Sequence, residues 1–295
     1  MRQPTTRIPA CLLPSQCMAE SPANPHGPSS RMVHFGHREW RMGATKIEFR
    51  LRMAIMTAIT VLGFWAPWIG DWGLGRRTSL WGWLAFTLSR SGLVSLAVAA
   101  PMVIIVAALI AAKGAALRIW GTAYLGYGTV HHEQMQAGAV MADGPYRYVR
   151  NPLYLGGWCM MAAMSFLMPP TGALFAMTLL TVFFLRLILG EEAFLASQLG
   201  EPYREYLRAI PRLFPRLRTI LSCTGSAHAG RKPQWIHAVF TEINPIGIFI
   251  ALAVFSWSYD NWLMIKAVLV SFGISLIVRA LVPMKNAGTQ SDSQG

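Results

Sequence analysis

The stretch PLYLGGWCMMAAMSFLMPPTGALFAMTLLTVFFLRLILGEE, residues 152–192, decides the fold class. It holds two apolar runs, about 153–168 and 171–190, separated only by Pro169-Pro170-Thr171-Gly172. A helix that crosses a bilayer needs roughly 20 apolar residues, within a range of about 17–25. The second run meets that length, and the shorter first run fits as its tilted partner. So short a link predicts a membrane hairpin, whose entering and leaving residues meet at one surface.

Further apolar runs lie on either side. One spans about 51–69, with Trp65 and Trp68 near its far end as interface anchors, and another about 92–112. Two more, about 245–257 and 263–282, are joined by Ser258-Tyr259-Asp260-Asn261. The segment 79–91 reads either as an interfacial helix or as a longer second span. Together these predict an all-α, polytopic integral membrane protein with about six transmembrane helices. Composition agrees: 54% of the residues are hydrophobic and 13% charged, about half the charge of a soluble domain, with a mean hydropathy of +0.39.

Residues 1–45 are rich in Pro, Ser, His and Arg and lack an apolar h-region, so they read as a disordered basic tail rather than a signal peptide. A membrane core over 46–220 follows, then a linker and C-terminal transmembrane hairpin over 221–295. The formal net charge of +13 fits anionic headgroups better than nucleic acid, because membrane proteins concentrate Lys and Arg in cytoplasmic loops. The 113–151 and 191–237 segments are rich in arginine, while the 169–172 and 258–261 turns have no basic residue. The tail, both basic segments and the C-terminus are therefore expected in the cytoplasm; Arg76, Arg77 and Arg90 weigh weakly against that. Cys11, Cys17, Cys159 and Cys223 show no metal-ligand spacing, and His131-His132 lacks a third ligand, so no metal is expected.

Into the hairpin runs GPYRYVRNPLYLG, 144–156; out of it runs RLILGEE, 186–192. Topology alone gathers arginines, tyrosines, an asparagine and two glutamates at one membrane edge, a functional hypothesis in so apolar a chain. GPYRYVRNPLYLG followed by EEAFLASQLGEPYREYLRAIPRLFP resembles the paired signature of the isoprenylcysteine carboxyl methyltransferase and phospholipid methyltransferase superfamily. There the first block usually reads G-x-Y-x-x-x-R-H-P-x-Y-x-G, and the second carries E-E followed by G-x-x-Y-x-x-Y and a P-R-x-x-P tail. The resemblance covers about residues 115–216. Asn151 stands where the family more often has His, Leu199 replaces an aromatic, and Arg186 sits five residues before the Glu pair rather than four.

The resemblance implies membrane helices whose cytoplasmic ends wrap S-adenosylmethionine, in a pocket at the membrane edge, with a lipid or lipophilic acceptor. Carried over, the cofactor-binding residues would be His131, the strip Gly138, Ala139, Val140 and Met141, then Tyr146, Asn151, Pro152, Leu153, Tyr154, Glu191 and Glu192. Arg150 and Arg186 would be catalytic. The chemistry is suitable: a carboxylate accepts from a ribose diol or offsets cofactor charge, and tyrosine faces attract a sulfonium. Plainer roles compete with each. Asn151-Pro152 is also an ordinary helix start, Glu191-Glu192 a solvated helix end, Arg186 a snorkelling cation, and Gly126-Tyr127-Gly128 a packing element. Tyr203 and Tyr206 with Arg204 and Arg208 read as an interfacial amphipathic helix. Two other functions stand beside methyl transfer: an NADPH-dependent membrane enone or steroid reductase, whose family shares a similar R-x-P-x-Y-x-G block, and a non-enzymatic scaffold or transporter.

Overall fold

The computed structural model describes residues 43–65, 78–125, 143–215 and 233–281. His131 and the 138–141 strip lie outside the described residues, as does most of the N-terminal tail. Among the described residues every regular element is helical. In chain order they are α1 (Lys46–Arg50), α2 (Arg52–Trp65), α3 (Leu80–Arg90), α4 (Leu96–Leu125), α5 (Pro152–Ser165), α6 (Pro170–Leu199), α7 (Glu201–Ala209), α8 (Trp235–Thr241), α9 (Ile243–Ser258) and α10 (Asn261–Leu281), with a 3-10 turn at Gly144–Arg147.

Where about six spans are expected, three helices among the described residues are long and apolar enough to cross a membrane: Leu96–Leu125, Pro170–Leu199 and Asn261–Val278. A fourth is reached if α8 and α9, bent by 68° at their junction, count as one. The difference is one of length. α5 has 14 residues, about 21 Å of helix against a hydrocarbon core of roughly 30 Å. Contacts nonetheless show helices α2, α4, α5, α6, α9 and α10 running alternately between two ends of the molecule. At one end Leu80 and Trp81 donate backbone N–H bonds to Met168 and Phe166, 2.7 and 2.9 Å, and Trp81 packs on Phe255 and Tyr259. At the other end Arg118, Asn151, Glu192 and Glu242 gather.

The hairpin turn is 166–169 rather than 169–172. Proline is tolerated at the first position of a helix, where its missing N–H has no intrahelical acceptor. Pro170 therefore starts α6, and Thr171 and Gly172 belong to its first turn. The bonds from Leu80 and Trp81 satisfy two of the turn's carbonyls, which low-dielectric surroundings would otherwise leave at several kcal/mol each. The 79–91 segment is a helix of its own: α3 is separated from α4 by residues 91–95, where Gly92 takes φ +77.

Close approach of α4 to α5 positions the site. A Cβ on Gly114 would lie 2.9 Å from the Gly156 carbonyl oxygen, and one on Gly156 would lie 2.8 Å from the Gly114 carbonyl oxygen. With Ala108, Ala111 and Ala115 facing Met160, Ala163 and the Leu252 side chain of α9, this is the small-residue packing that lets helices associate without a hydrophobic driving force. Outward-facing Leu109, Leu174, Val182, Leu269 and Ile277 stay exposed, as a lipid-facing surface requires.

Candidate active site

Glu192 is the anchor of the arginine-rich end. Only 5% exposed, it accepts a fork from Arg212, Nε at 3.1 Å and Nη2 at 2.8 Å, and a bond from Asn151 Nδ2 at 3.1 Å. Arg150 Nε stands 3.5 Å away on the same carboxylate, and Arg150 Nη1 donates to the Leu207 carbonyl at 3.2 Å. The backbone repeats the link, with Arg150 N donating to Pro211 O at 2.9 Å and Asn151 N to Arg212 O at 3.2 Å. One buried carboxylate thus ties the end of α6 to the entry of α5 and to the segment after α7.

α7 completes this closure. Tyr203 and Tyr206 stack at 5.8 Å, and the buried Tyr206 hydroxyl donates to the Tyr146 carbonyl at 2.8 Å. The helix is amphipathic as its sequence predicts, but its tyrosine face packs on protein, while Arg208 and Arg204 pair with Glu201 at 2.8 and 3.5 Å on the exposed side. Burial pushes the phenols of Tyr146, Tyr203 and Tyr206 above their ordinary range, so each remains a neutral O–H. The two sequence blocks belong together because one supplies the carbonyl and the other the hydroxyl.

Gly144 shows why the first block begins with glycine. Its φ is +58, and a Cβ there would run into the Tyr124 ring at the end of α4. Both the backbone angle and the space demand the missing side chain.

Glu191 has a different setting. It is half-buried, with Tyr154 and Arg52 close enough to act on it electrostatically. Tyr154 is fixed by an edge-on contact with Phe184 at 5.8 Å. Adjacent positions on a helix point about 100° apart. Here that angle turns Glu192 into the protein and Glu191 toward the first turn of α5, the turn that also carries Pro152 and Leu153.

Arg186 is committed elsewhere. Its Nη2 donates to both carboxylate oxygens of Glu48, at 3.0 and 3.1 Å, and its carbonyl accepts from Ala44 N at 2.9 Å. Glu48 in turn closes a capping box with Thr45. The Arg186 guanidinium, with the Thr45 N–H, holds the Glu48 carboxyl below its usual range. Gly190 permits this docking: a Cβ there would stand 3.1 Å from Ala44 N. Of the two arginines expected to be catalytic, Arg186 holds α1 and Arg150 holds Glu192.

Sequence reasoning missed the other buried carboxylate. Glu242, 1% exposed, sits at the bend between α8 and α9. It accepts from Arg118 Nε at 2.6 Å, Arg118 Nη2 at 3.0 Å and Thr122 Oγ1 at 2.7 Å. A signal was present: between Glu205 and Asp260 it is the one acidic residue in the sequence, and it opens an apolar run. Among the described residues no group of three His, Cys, Asp or Glu side chains could hold a metal ion.

A helical hairpin whose mouth joins a Pro-Tyr-Arg block to a Glu doublet is the geometry against which family likeness can be judged. Residues 94–202 match the phospholipid methyltransferase family. The match runs from just before α4 to the start of α7, so it takes in Arg118, Asn151, Tyr154, Glu191 and Glu192 and leaves out Glu48, Arg212 and Glu242. Likeness to a phospholipid methyltransferase, joined to helices of membrane-crossing length, suggests a membrane methyltransferase. No curated protein and no solved structure matches the chain.

Proposed function

We propose that this protein transfers a methyl group from S-adenosylmethionine to a lipid or lipophilic acceptor, at a pocket on the cytoplasmic edge of the membrane. The observation that carries the reading is that the Glu191-Glu192 doublet stands against the Asn151-Pro152 start of α5, inside the segment that matches phospholipid methyltransferases. The donor set fits such a cofactor. Glu191 keeps lone pairs for a ribose diol or a cationic centre, whereas those of Glu192 are taken by Arg212, Asn151 and Arg150. Tyr146 and Tyr154 offer neutral aromatic surfaces beside it. When bound, S-adenosylmethionine supplies an already activated methyl on its sulfonium, so the protein's work is to align, bind and exclude water.

The residues divide by role. Asn151 precedes the first turn of α5, which Pro152, Leu153 and Tyr154 form, and the N–H groups of Leu153 and Tyr154 suit the cofactor's carboxylate. Glu191 binds from α6, and the family resemblance adds His131 and the strip 138–141 to the cofactor-binding residues. Arg150 and Glu192 position these groups, and Arg186 keeps α1 beside them. A carboxylate acceptor would need no general base; an amine would have to release a proton. The arginine-rich end, carrying Arg118, Arg147, Arg150, Arg186 and Arg212, supports a cytoplasmic orientation of the site through the positive-inside rule.

Calorimetric titration of the detergent-solubilised protein tests the cofactor. S-adenosylhomocysteine should bind and NADPH should not; the reverse result would replace this reading with the reductase. Incubation with labelled S-adenosylmethionine and a lipid extract should carry label into the organic phase.

A further inference from the structure

The segment matching phospholipid methyltransferases ends at residue 202, forty residues before Glu242. Yet the most buried ion-paired carboxylate among the described residues, that of Glu242, joins that segment to the C-terminal hairpin. Burying a carboxylate to 1% exposure is costly without good partners, and Glu242 has three donor atoms within 3.0 Å. Such a site does more than attach the hairpin, because Arg118 faces two ways. Its Nη1 donates to the Leu153 carbonyl at 3.4 Å. Its Cγ also fills the space over Gly156, where a Cβ would come within 2.6 Å. Arg118 is therefore wedged between α9 and the first turn of α5. That turn bears Tyr154, which stands near Glu191, and Arg118 is close enough to act electrostatically on both Tyr146 and Tyr154.

We infer that Glu242, supplied from beyond the phospholipid methyltransferase segment, is a positioning residue for the proposed cofactor site. It holds the Arg118 guanidinium in the one orientation that braces the Leu153 carbonyl, and with it Tyr154. The fork matters: Arg118 gives Nε and Nη2 to Glu242, and planarity then directs Nη1 to α5. Without the carboxylate the guanidinium can rotate, and the first turn of α5 loses its brace. The C-terminal hairpin is on this view part of the site's framework rather than an added anchor. This inference rests on the methyltransferase reading for its consequence, but its structural half can be tested apart from it.

The test uses the full chain in detergent, comparing Glu242→Gln with Gly247→Ala. Gly247 faces Ser271 across α9 and α10, where a Cβ would collide with the serine side chain, so this variant loosens the same hairpin away from Arg118. Two readouts are taken: hydrogen exchange of amides 153–157, and affinity for S-adenosylhomocysteine. Glu242→Gln should speed exchange in that turn at least tenfold and weaken binding about tenfold. Gly247→Ala should lower the melting temperature with neither effect. Unchanged exchange in Glu242→Gln, or equal effects in Gly247→Ala, overturns the inference. If wild-type protein binds no S-adenosylhomocysteine, the cofactor reading falls, and the exchange measurement still decides whether Glu242 braces α5.

Discussion

Exchanging the two neighbouring glutamates for glutamine, one at a time, should separate stability from binding. Glu192 is buried under Arg212, Asn151 and Arg150. Removing one partner of a buried ion pair costs about 3–5 kcal/mol. Glutamine keeps one carbonyl for Asn151 or Arg212, and Arg212, 40% exposed, can turn to water. Arg150, 11% exposed, cannot do so easily. A loss of about 2–4 kcal/mol is expected for Glu192→Gln. Glu191 is half-buried and glutamine keeps its shape and one acceptor oxygen, so the cost of Glu191→Gln to stability should be about 0.5–1.5 kcal/mol. At about 2–4 °C per kcal/mol for a chain of this size, the melting temperature should fall roughly 4–16 °C for Glu192→Gln and about 1–6 °C for Glu191→Gln. Both are to be measured at one scan rate, since membrane proteins often unfold irreversibly. Affinity for S-adenosylhomocysteine should rank the opposite way, with Glu191→Gln weaker by about 1–3 kcal/mol and Glu192→Gln, below its melting temperature, the milder. Equal melting shifts, or a larger one for Glu191→Gln, would refute the division of labour drawn from their burial.

Three further outcomes are expected. Because the Glu48 carboxyl is held below its ordinary value by Arg186, its pairing stabilises the fold fully above the usual carboxylate range and is lost as pH falls through the lowered value. The pair is about one-third exposed, so melting of wild type and Glu48→Gln should differ by no more than about 1 kcal/mol near neutral pH and converge toward pH 3; divergence on acidification would contradict the pairing. Gly156→Ala should destabilise by about 1–3 kcal/mol in thermal melts, since its Cβ would meet the Gly114 carbonyl at 2.8 Å, and a neutral result would mean that α4 and α5 do not cross so closely. Cysteines replacing Phe214 and Asp260, in a background without the native cysteines, should label from opposite sides of sealed vesicles, and labelling from one side would overturn the topology.

Much of this molecule is written locally. Apolar length and the scarcity of charge declare membrane helices, because a bilayer demands both in one continuous segment. The Pro-Pro link declares a hairpin, and a hairpin brings 144–156 to 186–192 whatever the helices do in detail. What needed three dimensions were choices among equivalent directions. That Glu191 and Glu192 point different ways follows from helix geometry; which one enters the protein depends on where Asn151, Arg150 and Arg212 lie. Arg186 carries no mark in the sequence that it would turn to Glu48, 138 positions away, since an ion pair between distant segments leaves no periodicity. Arg118 and Glu242 escape notice for the same reason, separated by 124 positions. Hydrophobic pattern selects helices and their order; only packing selects the partners of the charges at their ends.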